Sequence, residues 1–254
     1  MTQETPKTYE IVIDGKKCTA THGEYLYDVA KRNGIFIPTL CRHDGFEPRA
    51  ACRICICEVI IRGRSKVVTS CCYPIEQECE VLTNSESIQE QRKVILMLLQ
   101  ARSPEAAAIK QMGEYFGADV PESFIKLDTE KCILCGLCMQ ACNALGTGAI
   151  STVLRGIEKK VSTPYDKANA DCVGCHSCAN VCPTEAIAWS EDEVAGTRTI
   201  WNRSFELQRC ERCGSIMGTK EEVAWAASQD EKLCDACRKK AIADSMLSAY
   251  ARNA

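Results

Sequence analysis

Cys132-Ile-Leu-Cys135-Gly-Leu-Cys138-Met-Gln-Ala-Cys142 and Cys172-Val-Gly-Cys175-His-Ser-Cys178-Ala-Asn-Val-Cys182-Pro183 decide how this chain is read. Both runs space four cysteines by two, two and three residues, the pattern with which a chain wraps a [4Fe-4S] cluster. Cysteine makes up 20 of the 254 residues; at that frequency three further cysteines at set offsets arise roughly once in two thousand trials. The pattern occurs twice, so coincidence is discarded. Where two such runs share a chain, the fourth cysteine of each crosses to the other cluster. The spacing therefore predicts one [4Fe-4S] centre on Cys132, Cys135, Cys138 and Cys182, and another on Cys172, Cys175, Cys178 and Cys142. Crossing of this kind places two clusters close together within one fold, which suits electron transfer better than scaffolding. Gly136 and Gly174 sit inside the ligand turns, where a missing side chain lets backbone amides face the sulfurs.

The rest of the composition agrees. With 46% hydrophobic and 26% charged residues, disorder is excluded as the main state. The longest wholly apolar run, Val94 to Leu99, falls far short of the roughly 20 residues that span a bilayer, so no transmembrane segment is expected. Met1 to Tyr9 is polar, carries Glu4 and lacks the apolar stretch of a secretion signal, so a cytoplasmic location is expected. In a reducing compartment thiols at regular spacing are metal ligands rather than disulfides. A net charge of -3 gives no sign of a nucleic-acid partner.

Apart from Cys18, the cysteines fall in three blocks, 41 to 79, 132 to 182 and 210 to 237. Ahead of the first, Tyr9 to Ile13, Asp14-Gly15 and a run to Thr21 read as a hairpin. Glu24 to Asn33 reads as a helix stopped by Gly34, with strands at Glu58 to Ile61 and Lys66 to Thr69. The expectation is a small mixed sheet carrying one helix. Cys41, Cys52, Cys55 and Cys71 have the arrangement of a [2Fe-2S] site, in which a loop gives most ligands and a distant strand end closes the cage. Small residues in Arg49-Ala-Ala-Cys52-Arg-Ile-Cys55 let backbone N–H groups approach the sulfurs. Cys18, Cys57, Cys72 and Cys79 read as buried apolar residues. Between the first two blocks, Ser87-Ile-Gln-Glu90 reads as a capping box opening a helix, and Glu105 to Phe116 as a second helix ended by Gly117.

Pro38-Thr-Leu-Cys41 and Ser70-Cys71-Cys72-Tyr-Pro74 match the Pro-x-Leu-Cys and Ser-Cys-x-x-Pro patterns of a known family. On these motifs the chain resembles the N-terminal region of the large iron-sulfur subunit of NADH:quinone oxidoreductase. It is similar also to the diaphorase iron-sulfur subunit of NAD-linked nickel-iron hydrogenase and to the N-terminal ferredoxin domains of iron-only hydrogenase. Lys131-Cys-Ile-Leu-Cys-Gly136 and Cys172-Val-Gly-Cys175 strengthen the likeness. The resemblance implies an α+β chain with a β-grasp [2Fe-2S] ferredoxin domain over 1–84, a helical connector over 85–125 and a two-cluster [4Fe-4S] ferredoxin domain over 126–204. It selects Cys71 over Cys72 as the fourth [2Fe-2S] ligand. Many of these relatives carry a further [4Fe-4S] cluster held by one histidine and three cysteines; between Cys79 and Cys132 this chain has neither residue type.

The third block, Cys210-Glu-Arg-Cys213-Gly214 and Cys234-Asp-Ala-Cys237, has the two-knuckle spacing of a four-cysteine zinc site, here in a zinc-ribbon-like module over 205–254. The same four cysteines suit a third [4Fe-4S] cluster as the alternative, because spacing does not fix the metal. Thr219-Lys-Glu-Glu222 reads as a capping box starting a helix through Trp225, and Arg238 to Tyr250 as a final helix.

His22, His43 and His176 read as packing residues, since every cluster already has four thiolates, with His176 placed to tune one centre's potential. The sequence shows no dinucleotide-binding Gly-x-Gly-x-x-Gly after a strand, no P-loop and no acid-base pair, so no catalysis by the chain alone is expected. What the resemblance implies is an electron-transfer subunit. It would relay single electrons between a flavin and NAD(H)-binding subunit and a catalytic redox subunit: a hydrogenase, a formate dehydrogenase or a bifurcating module. The rivals are a freely diffusing multi-cluster ferredoxin and a cluster-based sensor.

Overall fold

The structure, a computed structural model, describes residues 7–127, 130–226 and 232–252. Residues 1–6 of the polar N-terminal stretch, 128–129 in the expected two-cluster domain, and 227–231 and 253–254 in the expected C-terminal module lie outside the described residues. The chain divides into two compact units, 1–140 with 182–186, and 141–181 with 187–254. The exchange puts Cys182 in the first unit and Cys142 in the second.

Among the described residues, the first unit holds a five-stranded mixed sheet. Strands β1 (Thr8–Ile13) and β2 (Lys16–Thr21) pair antiparallel with Ile11 opposite Cys18. Asp14 and Gly15 both adopt left-handed backbone (φ 47° and 80°), the two-residue turn whose twist matches a hairpin. Helix α1 (Leu26–Arg32) buries Leu26, Val29 and Ala30 and ends at Gly34. It starts two residues later than the sequence reading because Tyr25 is still in a β-bridge with Pro74. Strands β3 (Ile56–Ile61), β4 (Arg64–Thr69) and β5 (Glu80–Leu82) complete the sheet in the order β2-β1-β5-β3-β4. Ile11, Ile13, Leu26, Val29, Ile75 and Val81, each fully buried, form the core beneath α1.

Central β5 escaped the sequence reading: three residues are too few to show alternation, and long-range pairing with β1 and β3 creates the strand. Helix α2 (Glu86–Arg102) is capped by Ser85, whose Oγ accepts from the Ile88 N–H at 3.4 Å. The expected cap at Ser87 is therefore corrected by two residues: Ser87 is already helical, and Ser85 is held for capping by donating to Glu58 Oε2 at 3.0 Å. Helix α3 (Ala107–Phe116) ends at left-handed Gly117. Helix α4 (Leu137–Ala144) follows, opening inside the first [4Fe-4S] run.

The second unit, among its described residues, contains the short hairpin β6 (Ser151–Val153) and β7 (Lys160–Ser162), and helix α5 (Ser177–Asn180) inside the second run. Strands β8 (Trp189–Asp192), β9 (Thr197–Ile200), β10 (Arg203–Arg209) and β11 (Ile216–Thr219) form an antiparallel sheet in the order β11-β10-β9-β8. Helix α6 (Lys220–Ala226) lies against β10 and β11, and α7 (Asp235–Arg252) closes the chain. The expected capping box is present in both directions: Glu222 N–H donates to Thr219 Oγ1 at 3.0 Å, and Thr219 N–H donates to Glu222 Oε2 at 3.3 Å. Among the described residues no helix is long and apolar enough to cross a membrane.

Candidate metal centres

Cys41, Cys52, Cys55 and Cys71 are all buried, and the structure brings them together. Ala50 and Arg53, left-handed at φ 49° and 56°, curl the loop around its cysteines. The Cys52 N–H points at Cys41 Sγ, 3.4 Å away. A chain of thiol contacts runs Cys52, Cys41, Cys71, Cys55; hydrogen bonds from Cys52 and Cys71 hold Cys41 far below the usual thiol range, and Cys71 lowers Cys55 to about 7. Cys71 is presented by a 3-10 turn, Ser70–Cys72, at the end of β4 and packed against α1. Ser70 fastens that turn, its N–H and Oγ donating to the Cys55 carbonyl at 3.0 and 2.9 Å. Cys72 Sγ lies 3.8 Å from Cys71 Sγ on the half-buried side. Burial pushes the Cys57 thiol up to about 12, in keeping with a core residue, and Cys18 packs in the same core.

The two [4Fe-4S] runs share one local geometry. Leu134 and Gly174, each two residues after a first cysteine, are left-handed at φ 54° and 70°. Gly136 and His176, each directly after a second cysteine, are left-handed at φ 81° and 50°. In both runs the backbone N–H two residues on donates to the first sulfur, from Leu134 to Cys132 at 3.4 Å and from Gly174 to Cys172. The fourth cysteines are served alike: Ala149 N–H lies 3.2 Å from Cys142 Sγ and Ala186 N–H 3.3 Å from Cys182 Sγ. Thr147 and Thr184 hydroxyls approach the same two sulfurs at 3.2 and 3.6 Å.

In the first unit burial raises the Cys132 and Cys135 thiols, and the charge of Cys182 adds to both in the same direction. In the second unit Cys142, Cys172, Cys175 and Cys178 line one cavity with apolar neighbours that include Ile150 and Ile200. Burial pushes Cys135 and Cys178 up to about 11. Soft sulfur donors, low polarity and amides aimed at the sulfurs are the features an iron-sulfur cluster requires, so the residues present fit such groups.

The Sγ atoms of Cys210, Cys213, Cys234 and Cys237 all lie within 4.8 Å of one another. The first knuckle closes the β10–β11 hairpin: Cys210 N–H donates to the Ser215 carbonyl and Gly214 N–H to the Cys210 carbonyl, each at 2.9 Å. The second sits at the start of α7. Cys210 is buried, Cys213 exposed.

His22 bonds the Tyr9 hydroxyl at 3.1 Å, His43 stacks on Phe46, and His176 stacks on Trp189 with ring centroids 4.5 Å apart. Sequence reasoning missed Trp201, whose Nε1 donates to Cys178 Sγ at 3.4 Å. It also missed Arg198 and Arg203, which donate to the Gly174 and Cys172 carbonyls at 3.0 and 2.8 Å. No local signal ties these residues to cysteines more than twenty positions away.

Comparison with known families matches a 2Fe-2S iron-sulfur cluster binding domain to residues 7–86 and a 4Fe-4S dicluster domain to residues 125–189. A second 4Fe-4S dicluster domain matches residues 171–217, a span that takes in Cys210 and Cys213. The chain is 32% identical to the NADP-reducing hydrogenase subunit HndD of Solidesulfovibrio fructosivorans, over 90% of this chain and 44% of the relative. It is 29% identical to the NADPH-Fe(3+) oxidoreductase subunit alpha of Geobacter sulfurreducens, over 68% of this chain and 23% of the relative. With the mitochondrial NADH-ubiquinone oxidoreductase 78 kDa subunit of Neurospora crassa it shares 26% identity, over 73% of this chain and 28% of the relative. The chain thus spans less than half the length of each of these relatives. Its fold matches a chain of an NAD+-reducing [NiFe]-hydrogenase crystal structure with a TM-score of 0.59 and 24% identity, over 70% of this chain and 86% of that one. The chain is an iron-sulfur protein, with a [2Fe-2S] domain followed by a [4Fe-4S] dicluster domain and a C-terminal four-cysteine group, and it resembles the iron-sulfur subunits of NAD(P)-linked hydrogenases and NADH dehydrogenases.

Proposed function

We propose that this chain is the electron-relay subunit of a multi-subunit, NAD(P)-linked oxidoreductase located in the cytoplasm. One-electron storage is the chemistry that iron-sulfur clusters supply when bound. Cys41, Cys52, Cys55 and Cys71 hold the [2Fe-2S] cluster; Cys132, Cys135, Cys138 and Cys182 hold one [4Fe-4S] cluster; Cys142, Cys172, Cys175 and Cys178 hold the other. The observation that carries this reading is the meeting of two cluster sets within one compact unit: the first [4Fe-4S] run packs on the loop between Cys41 and Cys52, where Gln140 Nε2 donates to the Glu47 carbonyl at 2.8 Å. Two redox centres held on loops in direct contact suit electron transfer from one to the other. The similarity to subunits of an NADP-reducing hydrogenase and an NADPH-Fe(3+) oxidoreductase supports a nicotinamide-linked complex, and a hydrogenase as the catalytic redox subunit before a formate dehydrogenase or a bifurcating module; a flavin and NAD(H)-binding subunit on the other side is part of this proposal.

The C-terminal cysteines hold zinc in this reading. A tetrahedral ion with Zn–S bonds of about 2.3 Å sets its sulfurs about 3.8 Å apart, and Cys213 Sγ and Cys234 Sγ are 3.7 Å apart. A four-iron cube separates its thiolates further. The second dicluster match reaching Cys213 favours the alternative, a third [4Fe-4S] cluster.

Anaerobic purification from native extract tests both parts. The relay reading expects larger flavin-containing and catalytic subunits to co-purify, and NAD(P)H to reduce the clusters in that complex, read by electron paramagnetic resonance. A chain that purifies alone and takes electrons from no nicotinamide-linked partner overturns it in favour of a diffusing ferredoxin. About ten iron and one zinc per chain support zinc at the C-terminal site, whereas about fourteen iron and no zinc support the further cluster.

A further inference from the structure

Strands β9, β10 and β11 grip the second [4Fe-4S] run along its backbone. Three consecutive carbonyls of that run each accept a side-chain hydrogen bond: Cys172 from Arg203 at 2.8 Å, Val173 from the Thr219 hydroxyl, and Gly174 from Arg198 at 3.0 Å. Arg203 also donates to the Asn169 and Ala170 carbonyls at 3.1 and 3.2 Å, and is held in turn by Glu221 at 3.0 Å. The hairpin turn consists of Trp201 and Asn202, both left-handed (φ 52° and 59°) although neither is glycine. Asn202 pins the turn by donating to the Asp166 carbonyl at 3.0 Å. Non-glycine residues persist in this conformation when their surroundings over-determine them, and such sites are often functional.

What the turn achieves is the placement of one group. Trp201 lines the cavity shared by Cys142, Cys172, Cys175 and Cys178, and its Nε1–H donates to Cys178 Sγ at 3.4 Å. An N–H directed at a ligand sulfur withdraws charge from it. Reduction adds one electron, whose charge spreads onto the sulfurs, so the donor stabilises the reduced state more than the oxidised one. With Ile150 and Ile200 among the cavity walls, the low local polarity strengthens that effect. Indole has no accessible titration, so this influence is constant across physiological pH, unlike that of an imidazole.

We propose that Trp201 sets the potential of this centre, its indole N–H raising the reduction potential of the [4Fe-4S] cluster held by Cys142, Cys172, Cys175 and Cys178. The inference rests on that ligand set. It gives the C-terminal sheet a redox role: the sheet makes this centre a better electron acceptor than its cysteines and backbone amides alone would.

The experiment is a potentiometric titration of the full chain, its clusters assembled anaerobically, followed by electron paramagnetic resonance. Trp201→Phe keeps an apolar ring and removes the donor. The expected result is a fall in the midpoint potential of one [4Fe-4S] signal, with the other signals unmoved and iron content intact. An unchanged midpoint at full iron content overturns the proposal. A second measurement needs no variant: in chain labelled with nitrogen-15 in the indole rings, pulsed resonance of the reduced centre should show coupling to a directly hydrogen-bonded indole nitrogen, and its absence overturns the proposal. Cys178→Ser separates this idea from the reading beneath it. Loss of about four iron ions supports the ligand set. Full iron retention overturns the set, and the Trp201 proposal with it.

Discussion

The Arg92 guanidinium, 1% exposed, donates to the carbonyls on either side of Cys55, to Ile54 from Nε at 3.1 Å and to Ile56 from Nη2 at 3.0 Å. Nη2 also reaches the Thr83 carbonyl at 3.0 Å and Nη1 the Asn84 side chain at 3.3 Å, while the Phe116 ring lies 5.2 Å from the guanidinium. One residue of α2 thereby ties α3, the end of β5 and the [2Fe-2S] loop together. Burial lowers the Arg92 pKa, and the Ile54, Ile56 and Thr83 carbonyls and the Asn84 amide oxygen that it donates to are neutral. Arg92→Leu strands three buried carbonyls and should cost about 3 kcal/mol or more. The expected outcome is a lower unfolding midpoint by calorimetry and early loss of the [2Fe-2S] signal on heating, with both [4Fe-4S] signals outlasting it. Arg92→Lys, which keeps charge but not the fork, should fall in between.

Gly174 and Gly136 offer a matched pair. Both are left-handed, so alanine meets a backbone cost of about 1–2 kcal/mol at either site. At Gly174 a Cβ would come within 2.8 Å of the Phe205 ring, which is 1% exposed and cannot retreat. At Gly136 the nearest atoms are the ends of Arg49 and Met139, at 3.0 and 3.3 Å, and both can swing away. Gly174→Ala should therefore abolish assembly of one [4Fe-4S] cluster, with a loss of about four iron ions. Gly136→Ala should retain full iron and show only reduced thermal stability.

That contrast also marks what the sequence reveals. The cysteine offsets expose the local ligand turns because each turn is built within three residues, and the same left-handed positions recur at Leu134 and Gly174 whatever the side chain. The β1–β2 hairpin, α1, α3 and the Thr219–Glu222 capping box were legible for the same reason: each is made by neighbours in sequence. What stayed hidden depends on distant partners. β5 is a strand only because β1 and β3 flank it, and Phe205, Arg198 and Trp201 matter only because the sheet folds against residues 172–178. Their sequence signature is that of an ordinary antiparallel strand pair.

Cys71 and Cys72 form a sharper test of the first centre. Cys71 is fully buried and touches both Cys41 and Cys55, whereas Cys72 is half-buried and reaches the group through Cys71. Cys71→Ser should abolish the [2Fe-2S] resonance signal, and Cys72→Ser should leave it intact. A lost signal in Cys72→Ser with a retained one in Cys71→Ser would reverse the assignment.

Removal of the C-terminal metal should be separable from the clusters. Cys213 is exposed, so Cys213→Ser leaves no cavity in a core, yet its sulfur lies 3.7 Å from Cys234 Sγ and completes the four-sulfur group. With one thiolate gone, a structural zinc loses most of its affinity, because the closed four-sulfur shell supplies the binding energy. The expected result is zinc falling from about one per chain to near zero, with iron unchanged. A metal on these sulfurs would tie the end of β10 to the start of α7 through Cys210 and Cys234, so limited proteolysis should cut the variant between these two elements faster than the parent chain. If iron falls by about four while zinc is absent from the parent, the site holds a cluster instead.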